Sequence, residues 1–201
     1  MKTTISLIAL LVCTATFAQK MKIVNGGFDY LKGQTEVNVE FVYDNMKVMK
    51  ENFTEAEYIA KRSADLEEKT KGKGTSWEKV WSTSKELIWN PKFLELMNRY
   101  FDEDHGITFG ENFNDAKYTL IVETVWAYPG WDAGIMKQPA KVTTNLKFVE
   151  SANRSNVLAE VTSENAPGDQ YGNNFSNESR MGEGYAKTAK SLAKLILKEA
   201  F

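Results

Sequence analysis

The feature that most constrains the fold is a set of three segments whose apolar residues recur at every second position. These positions hold Tyr118, Leu120, Val122, Thr124 and Trp126, then Val142, Thr144, Leu146 and Phe148, and finally Val157, Ala159 and Val161, with Thr124 and Thr144 as the two polar members. Because successive side chains of a strand point to opposite faces of a sheet, each segment predicts a strand with one buried face. Strands that follow one another in sequence usually pair, so the segments predict an antiparallel meander.

The end of the chain, over about residues 180–200, carries an apolar stripe with the period of an α-helix. The stripe consists of Met181, Tyr185, Ala189, Leu192 and Ile196. The opposite face carries Lys187, Lys190, Lys194 and Lys198, which we interpret as a solvated face, with contact to an anionic surface as the alternative. The pattern predicts a C-terminal amphipathic helix on the sheet, and Gly182 and Gly184 near its start are interpreted as positions of close packing.

The first half of the chain adds further strand signals. Val37, Val39, Phe41 and Tyr43 alternate with their neighbours and predict a strand, and residues 28–31 predict a shorter one. Residues 101–114 are polar and acidic and are predicted to form a loop.

Helix signals lie between these strands. Residues 54–57 and 75–78 both match the Thr-x-x-Glu capping box, in which the Thr and Glu side chains bond each other's backbone N–H groups. Asn90 and Pro91 predict the start of a third helix, since Asn caps well and Pro suits the first helical position. The predicted fold is α+β: an antiparallel sheet of about four to five strands with helices packed on one face, closed by the C-terminal amphipathic helix.

Residues 1–18 have the pattern of a secretory signal peptide. Lys2 precedes an apolar run over residues 5–12, and the small residues Thr16 and Ala18 stand at positions −3 and −1 of a cleavage site. The run is too short to span a membrane, and no later segment approaches the about 20 apolar residues that spanning requires. We predict a single exported domain over residues 19–201, periplasmic or extracellular.

Cysteine and charge exclude several classes of site. Val12 stands where a lipoprotein signal requires a small residue before Cys13, so we expect no lipid anchor there. Cleavage removes this single Cys, which excludes disulfides and Cys-based metal sites in the exported protein. The 25 Lys and Arg residues are nearly balanced by 27 Asp and Glu residues, so no basic field predicts a nucleic-acid partner.

The chain contains no GxSxG, HExxH, P-loop or GxGxxG pattern. We therefore predict a non-catalytic protein and expect no cofactor. The alternative is a small metal-dependent hydrolase that uses His105, the single histidine, with Asp102 or Asp104. In the other interpretation, these residues form an ordinary solvated acidic turn that has no catalytic or metal-binding role.

The connection between the first two strands of the meander, residues 128–138, is longer than a hairpin requires. Loops of about 12 residues without structure of their own are uncommon, and many bind ligands. This loop carries Tyr128, Trp131, Asp132 and Met136, and an aromatic residue at a loop tip can stack on a sugar or anchor a protein partner. In the alternative interpretation, Trp131 and Ile135 fold back to plug an exposed end of the sheet.

The strand entry at residues 115–120, Asp-Ala-Lys-Tyr-Thr-Leu, and the elements after it resemble small bacterial envelope domains of the TolB N-terminal and penicillin-binding-protein-activator type. The resemblance covers about residues 115–200 and follows the order of two further strands and an Ala- and Lys-rich closing helix. The whole chain is also similar to exported proteins of diderm bacteria. The resemblance implies a non-catalytic part of an envelope complex, without catalytic residues.

These observations lead to one functional expectation. We expect an exported, non-catalytic envelope protein that binds a protein partner or an envelope polymer through the 128–138 loop. The Asn-rich residues 165–178 form a second predicted loop, which can assist if both loops emerge at the same end of the sheet.

We predict that the exported protein begins at Gln19. N-terminal sequencing of the protein recovered outside the cytoplasm checks this position, and an Ala18→Leu variant should be processed poorly because the −1 position requires a small residue. Recovery of exported protein that still begins at Met1 would contradict the prediction.

Overall fold

A computed structural model of the chain describes residues 19–133, 136–168 and 176–201. The predicted signal peptide and Cys13 lie outside the described residues, as do parts of both predicted loops.

Most of the strands join one eight-stranded sheet. They are β1 Lys20–Gly26, β2 Glu36–Val42, β3 Lys47–Val48, β4 Phe53–Thr54, β5 Thr108–Gly110, β6 Tyr118–Tyr128, β9 Ala140–Glu150 and β10 Asn153–Gly168. Two short strands, β7 Trp131–Asp132 and β8 Lys137–Gln138, pair separately as a hairpin. The main order is β1-β10-β9-β6-β2-β5, and β3 pairs with both β4 and β6.

The predicted meander is confirmed. β6, β9 and β10 are consecutive antiparallel neighbours, in a register that sets Leu120 opposite Phe148 and Leu146 opposite Val161. These four side chains are fully buried, whereas Lys147 and Glu160, on the other face of the sheet, remain partly exposed. The period of two therefore identified the covered face over most of the meander. It failed at Trp126, where a bulge after Thr124 shifts the register and Ala127 enters the core instead, and at Val157, which is 37% exposed.

The prediction of an antiparallel sheet of four to five strands was wrong in the number of strands and in the direction of some of them. The sheet is mixed, because β2 runs parallel to both β5 and β6. A parallel pair needs a long crossover connection, and the helices between β2 and β5 provide it. β1 adds an edge strand that the sequence did not indicate, and residues 28–31, predicted as a strand, instead contain a 3₁₀ turn over Asp29–Leu31.

The helices are α1 Glu55–Lys69, α2 Lys73–Ser84, α3 Asn90–His105 and α4 Asn177–Ala200. The first capping box is present, since the Glu57 N–H donates to Thr54 Oγ1 and the Thr54 N–H donates to the Glu57 carboxylate. The second box does not start α2, which begins at Lys73 after Gly72 with a left-handed φ of 83°.

Asn90 and Pro91 do not restart the chain as predicted. A π-helical turn, Lys85–Trp89, joins α2 directly to α3, so Asn90 is buried within continuous helix. Its side chain accepts a hydrogen bond from the Tyr43 hydroxyl at 2.6 Å, and this tertiary contact replaces the expected cap.

The predicted loop over residues 101–114 is also largely structured. α3 continues to His105 and ends at Gly106, which has a φ of 63°, and β5 follows at once. Phe101, Ile107 and Phe109 are almost completely buried in this segment. These three side chains anchor the segment to the core, while Asp102 and Asp104 remain exposed.

α4 packs on the sheet as predicted. All five residues of its apolar stripe are fully buried, and its four lysines are exposed. A Cβ on Gly184 would lie 2.6 Å from a methyl group of Val142, and a Cβ on Gly182 would lie 2.8 Å from one of Ile88. The interpretation of these glycines as positions of close packing is confirmed.

We predict that Gly184→Leu destabilises the protein by about 1–3 kcal/mol, because overpacking forces the helix away from β9. For a domain of this size the melting temperature should fall by roughly 2–12 °C. Gly27→Leu is the matched control, since a Cβ at Gly27 meets no atom within 4 Å. Equal melting temperatures for the two variants would contradict the close packing of α4.

Candidate functional site

A cavity of about 350 Å³ lies where β6 leaves the sheet for the β7–β8 hairpin. We call it the hairpin cavity. Its walls come from distant parts of the chain: the hairpin, α1 with the β3–β4 turn, and the first turn of α4. Ligand pockets usually have volumes of about 300–1,000 Å³, so this cavity is large enough to hold a small molecule or one end of a larger ligand.

The hairpin holds Trp131 in a defined orientation. Trp131 pairs with Gln138 across the hairpin, and its indole N–H donates to the Gln138 side-chain oxygen at 3.1 Å. Gly130 makes the turn with a φ of 67°, and a Cβ there would lie 2.4 Å from the Gln138 carbonyl oxygen. Although fixed in this way, the Trp131 side chain is 42% exposed. The plug interpretation is therefore not supported for Trp131, and Ile135 lies outside the described residues.

The other three predicted site residues differ in position. Tyr128 lines the cavity but is mostly buried, and its hydroxyl donates to the same Gln138 oxygen at 2.8 Å. Asp132 lines the cavity beside Trp131. Met136 is exposed and is not part of the cavity wall. Three of the four predicted residues are thus brought together, and Met136 is not.

Arg180, in the first turn of α4, joins the two predicted loops. Its guanidinium donates to the carbonyl oxygens of Pro129 at 3.2 Å and Gly130 at 3.3 Å, and to the Asn177 side chain. Arg180 is only 5% exposed, and this burial lowers its pKa, which the nearby charge of Asp132 partly opposes. The described ends of the loops therefore meet, with Asn177 and Trp131 on walls of the same cavity.

The α1 wall contributes Tyr58, Lys61 and Arg62. The buried Tyr58 hydroxyl accepts a hydrogen bond from Asn177 at 3.5 Å, and burial raises the pKa of Tyr58 to about 12, although the nearby Arg62 charge opposes the rise. Arg62 is half-buried, and its Nε is buried without a hydrogen-bond partner in the described part of the chain. Leaving a buried donor unsatisfied costs about 1–3 kcal/mol or more, so this nitrogen is an unusual feature.

Arg62, Asn177 and Arg180 were not predicted as site residues. The sequence contains one signal for Arg180: a cation in the first turn of a helix is unfavourable beside the positive end of the helix dipole. Arg62 has no such signal, because on α1 it resembles any other charged residue of a surface helix. Its role depends on which elements pack against α1.

The alternative catalytic residues lie elsewhere. The His105 ring packs against the rings of Phe201 and Phe101, with centroids 4.5 and 5.9 Å away. Asp102 accepts a long hydrogen bond of 3.4 Å from the Thr108 hydroxyl, and Asp104 is exposed. None of the three residues lines the hairpin cavity.

The described residues also bear on the metal and membrane expectations. Across residues 19–133, 136–168 and 176–201, no group of three or more His, Cys, Asp or Glu side chains is placed to hold a metal ion. Over the same residues, no helix has the length and apolar character needed to cross a membrane.

The chain matches no protein-family model and no curated protein sequence. It is similar to two solved PelC dodecamer structures from Paraburkholderia phytofirmans. One of them, a point variant, aligns at 11% identity and a TM-score of 0.42, covering 92% of this chain and 100% of that one. The other aligns at 12% identity and a TM-score of 0.40, covering 92% of this chain and 99% of that one. A protein described as a neuraminyllactose-binding hemagglutinin homologue from Helicobacter pylori aligns at 12% identity and a TM-score of 0.30, covering 83% of this chain and 93% of that one. Similarity this low assigns neither function nor ligand. The resemblance to TolB-type envelope domains stays a prediction.

We predict that Tyr58 makes the folded state sensitive to high pH. Its pKa is raised from 10.0 to about 12, so its contribution is complete below pH 10 and is lost as the pH rises towards 12. At pH 11 the loss from this group should be about 1 kcal/mol. Urea unfolding of wild type and Tyr58→Phe at pH 8 and pH 11 measures it. An equal loss in both proteins would show that Tyr58 is not the group responsible.

Proposed function

We propose that this chain is an exported, non-catalytic envelope protein that binds a protein partner or an envelope polymer at the hairpin cavity, through the 128–138 loop. The observation that carries the proposal is the position of Trp131, a large aromatic side chain that is 42% exposed on a cavity wall. Aromatic residues dominate the binding energy of many interfaces, so a half-exposed tryptophan beside a concave surface favours binding over a purely structural role.

The rigidity of the walls supports this proposal. The Gln138 side chain holds Trp131 and Tyr128, and Arg180 ties the start of the hairpin to α4. A site that is already ordered loses less conformational entropy when its ligand binds. The loop is therefore long because it builds one wall of a cavity and does not merely connect β6 to β9.

The described lining of the cavity does not include the residues of the alternative, His105-based chemistry. Its described lining residues are aromatic, charged, amide-bearing or apolar and include no His, Ser or Cys. A hydrolase that uses His105 with Asp102 or Asp104 would act at another place in the molecule. No contact of His105 favours that alternative, since its described ring contacts are with Phe101 and Phe201.

We predict that Trp131→Ala abolishes capture of the partner while the protein remains folded. The immobilised exported chain is exposed to solubilised cell envelope, and the bound protein and carbohydrate are quantified. Because the ring is already half exposed, the variant should lose only about 1–2 kcal/mol of unfolding free energy. Leu87→Ala is the matched control, since Leu87 is 71% exposed and lies outside the cavity.

Two results would contradict the proposal. Capture by Trp131→Ala equal to that by Leu87→Ala would remove the loop from the binding site. A loss of about 3–5 kcal/mol in stability, as expected for a tryptophan deleted from a core, would restore the plug interpretation.

A further inference from the structure

This inference rests on the proposed function and concerns the chemistry of the ligand. We infer that the hairpin cavity binds an acidic saccharide, with a sugar ring on Trp131 and the sugar carboxylate on Arg62. Both side chains line the cavity, one from the hairpin and one from α1.

Arg62 carries the anionic part of the inference. It lines the cavity, is half-buried, and its Nε lacks a hydrogen-bond partner among the described residues. The planar guanidinium presents donors in a fork that matches the two oxygens of a carboxylate. The Nε is itself buried, so a carboxylate in the cavity would bond the other guanidinium nitrogens, for which the described residues provide no hydrogen-bond acceptor.

The other buried cation of the cavity is already engaged by the protein. Arg180 donates to two carbonyl oxygens of the hairpin turn and interacts electrostatically with Asp132. Its position therefore serves to join α4 to the hairpin. Arg62 has no comparable contact in the described residues and is the cation that a ligand would meet.

Lys61, Glu51 and Asp65 are the exposed charged residues among those that line the cavity. Lys61 is next to Arg62 in the chain and adds positive charge on α1. Glu51 and Asp65 also line the cavity, but both are exposed, and solvent screens their charge more strongly than that of a half-buried group. Of the charged groups on α1 that line the cavity, Arg62 is therefore the least screened, and the two exposed carboxylates can accept hydrogen bonds from a ligand.

This combination favours a saccharide over an acidic peptide. The C–H face of a pyranose ring carries partial positive charge and stacks on the negative face of an indole such as Trp131. Sugar hydroxyls can donate to Glu51 and Asp65 while the sugar carboxylate meets Arg62. An acidic peptide side chain has neither a pyranose face to stack on Trp131 nor hydroxyl donors for Glu51 and Asp65.

Calorimetric titration of the exported chain tests the inference. The probes are hexamers of galacturonate, of mannuronate and of hyaluronan, together with the neutral methyl ester of the galacturonate hexamer and a hexaglutamate peptide. At least one acidic saccharide should bind, and the galacturonate acid should bind about tenfold or more tightly than its ester if that sugar is accepted.

Variants connect the binding to the two residues. Arg62→Gln should weaken the acidic saccharide by about 10- to 100-fold and leave any binding of the ester unchanged. Trp131→Ala should weaken both the acid and the ester. Arg99→Gln is the matched control, because Arg99 lies on α3, is exposed and pairs with Glu95. Urea unfolding of each variant verifies that it is folded.

The outcomes separate this inference from the proposed function. Binding of none of the three acidic saccharides, equal binding of acid and ester, or acid binding unaffected by Arg62→Gln overturns the inference. Equal or tighter binding of hexaglutamate also overturns it, in favour of an acidic peptide. In each case, envelope capture that depends on Trp131 would leave the proposed function standing, whereas capture independent of Trp131 would reject that function as well.

Discussion

The close approach of α4 to the sheet is the contact on which the rest of the structure depends. Gly184 lies against Val142 with no room for a side chain between them. Beside it, Tyr185 stacks on Trp89 with ring centroids 5.6 Å apart and shares a 2.7 Å hydrogen bond with the Thr124 hydroxyl. Protein interiors are close-packed, so a helix held at this distance cannot slide or rotate without opening a void or creating a clash. The position of α4 on the meander is set along its whole length.

The hairpin cavity follows from that position. The first turn of α4 brings Arg180 beneath the turn that starts the hairpin, and burial of a guanidinium is costly unless its donors are satisfied. The carbonyl oxygens of Pro129 and Gly130 and the Asn177 side chain accept those hydrogen bonds, so the cation that α4 buries also holds the turn that starts the hairpin. Trp131 can then be exposed and still have a defined orientation. A scaffold that orders an exposed aromatic residue in this way reduces the entropy cost of binding.

Local patterns predicted well the elements whose stability is itself local. The meander strands, the capping box at Thr54 and the buried stripe of α4 all follow from the spacing of side chains along one element. Predictions failed where a distant contact decided the outcome. Asn90 looked like a helix cap but bonds Tyr43, and β2 looked like part of an antiparallel sheet but pairs in parallel with β5 and β6. Strand direction depends on the path of the intervening chain, which the period of two does not contain.

The sequence by itself determined which face of α4 is buried and, away from the strand irregularities at Trp126 and Val157, which face of the meander, and it identified the loop around Trp131 as unusual. Periodicity and loop length are properties of one stretch of chain. Burial of an apolar face is favourable whichever element covers it, so the pattern predicts burial without the partner being known. Only the tertiary structure decided that Arg62, Trp131 and Arg180 share one cavity. Within the described residues, Arg180 is hydrogen-bonded to the hairpin turn, whereas the Nε of Arg62 has no hydrogen-bond partner. These residues are far apart in sequence, and the cost of burying a charge depends on the groups around it in space.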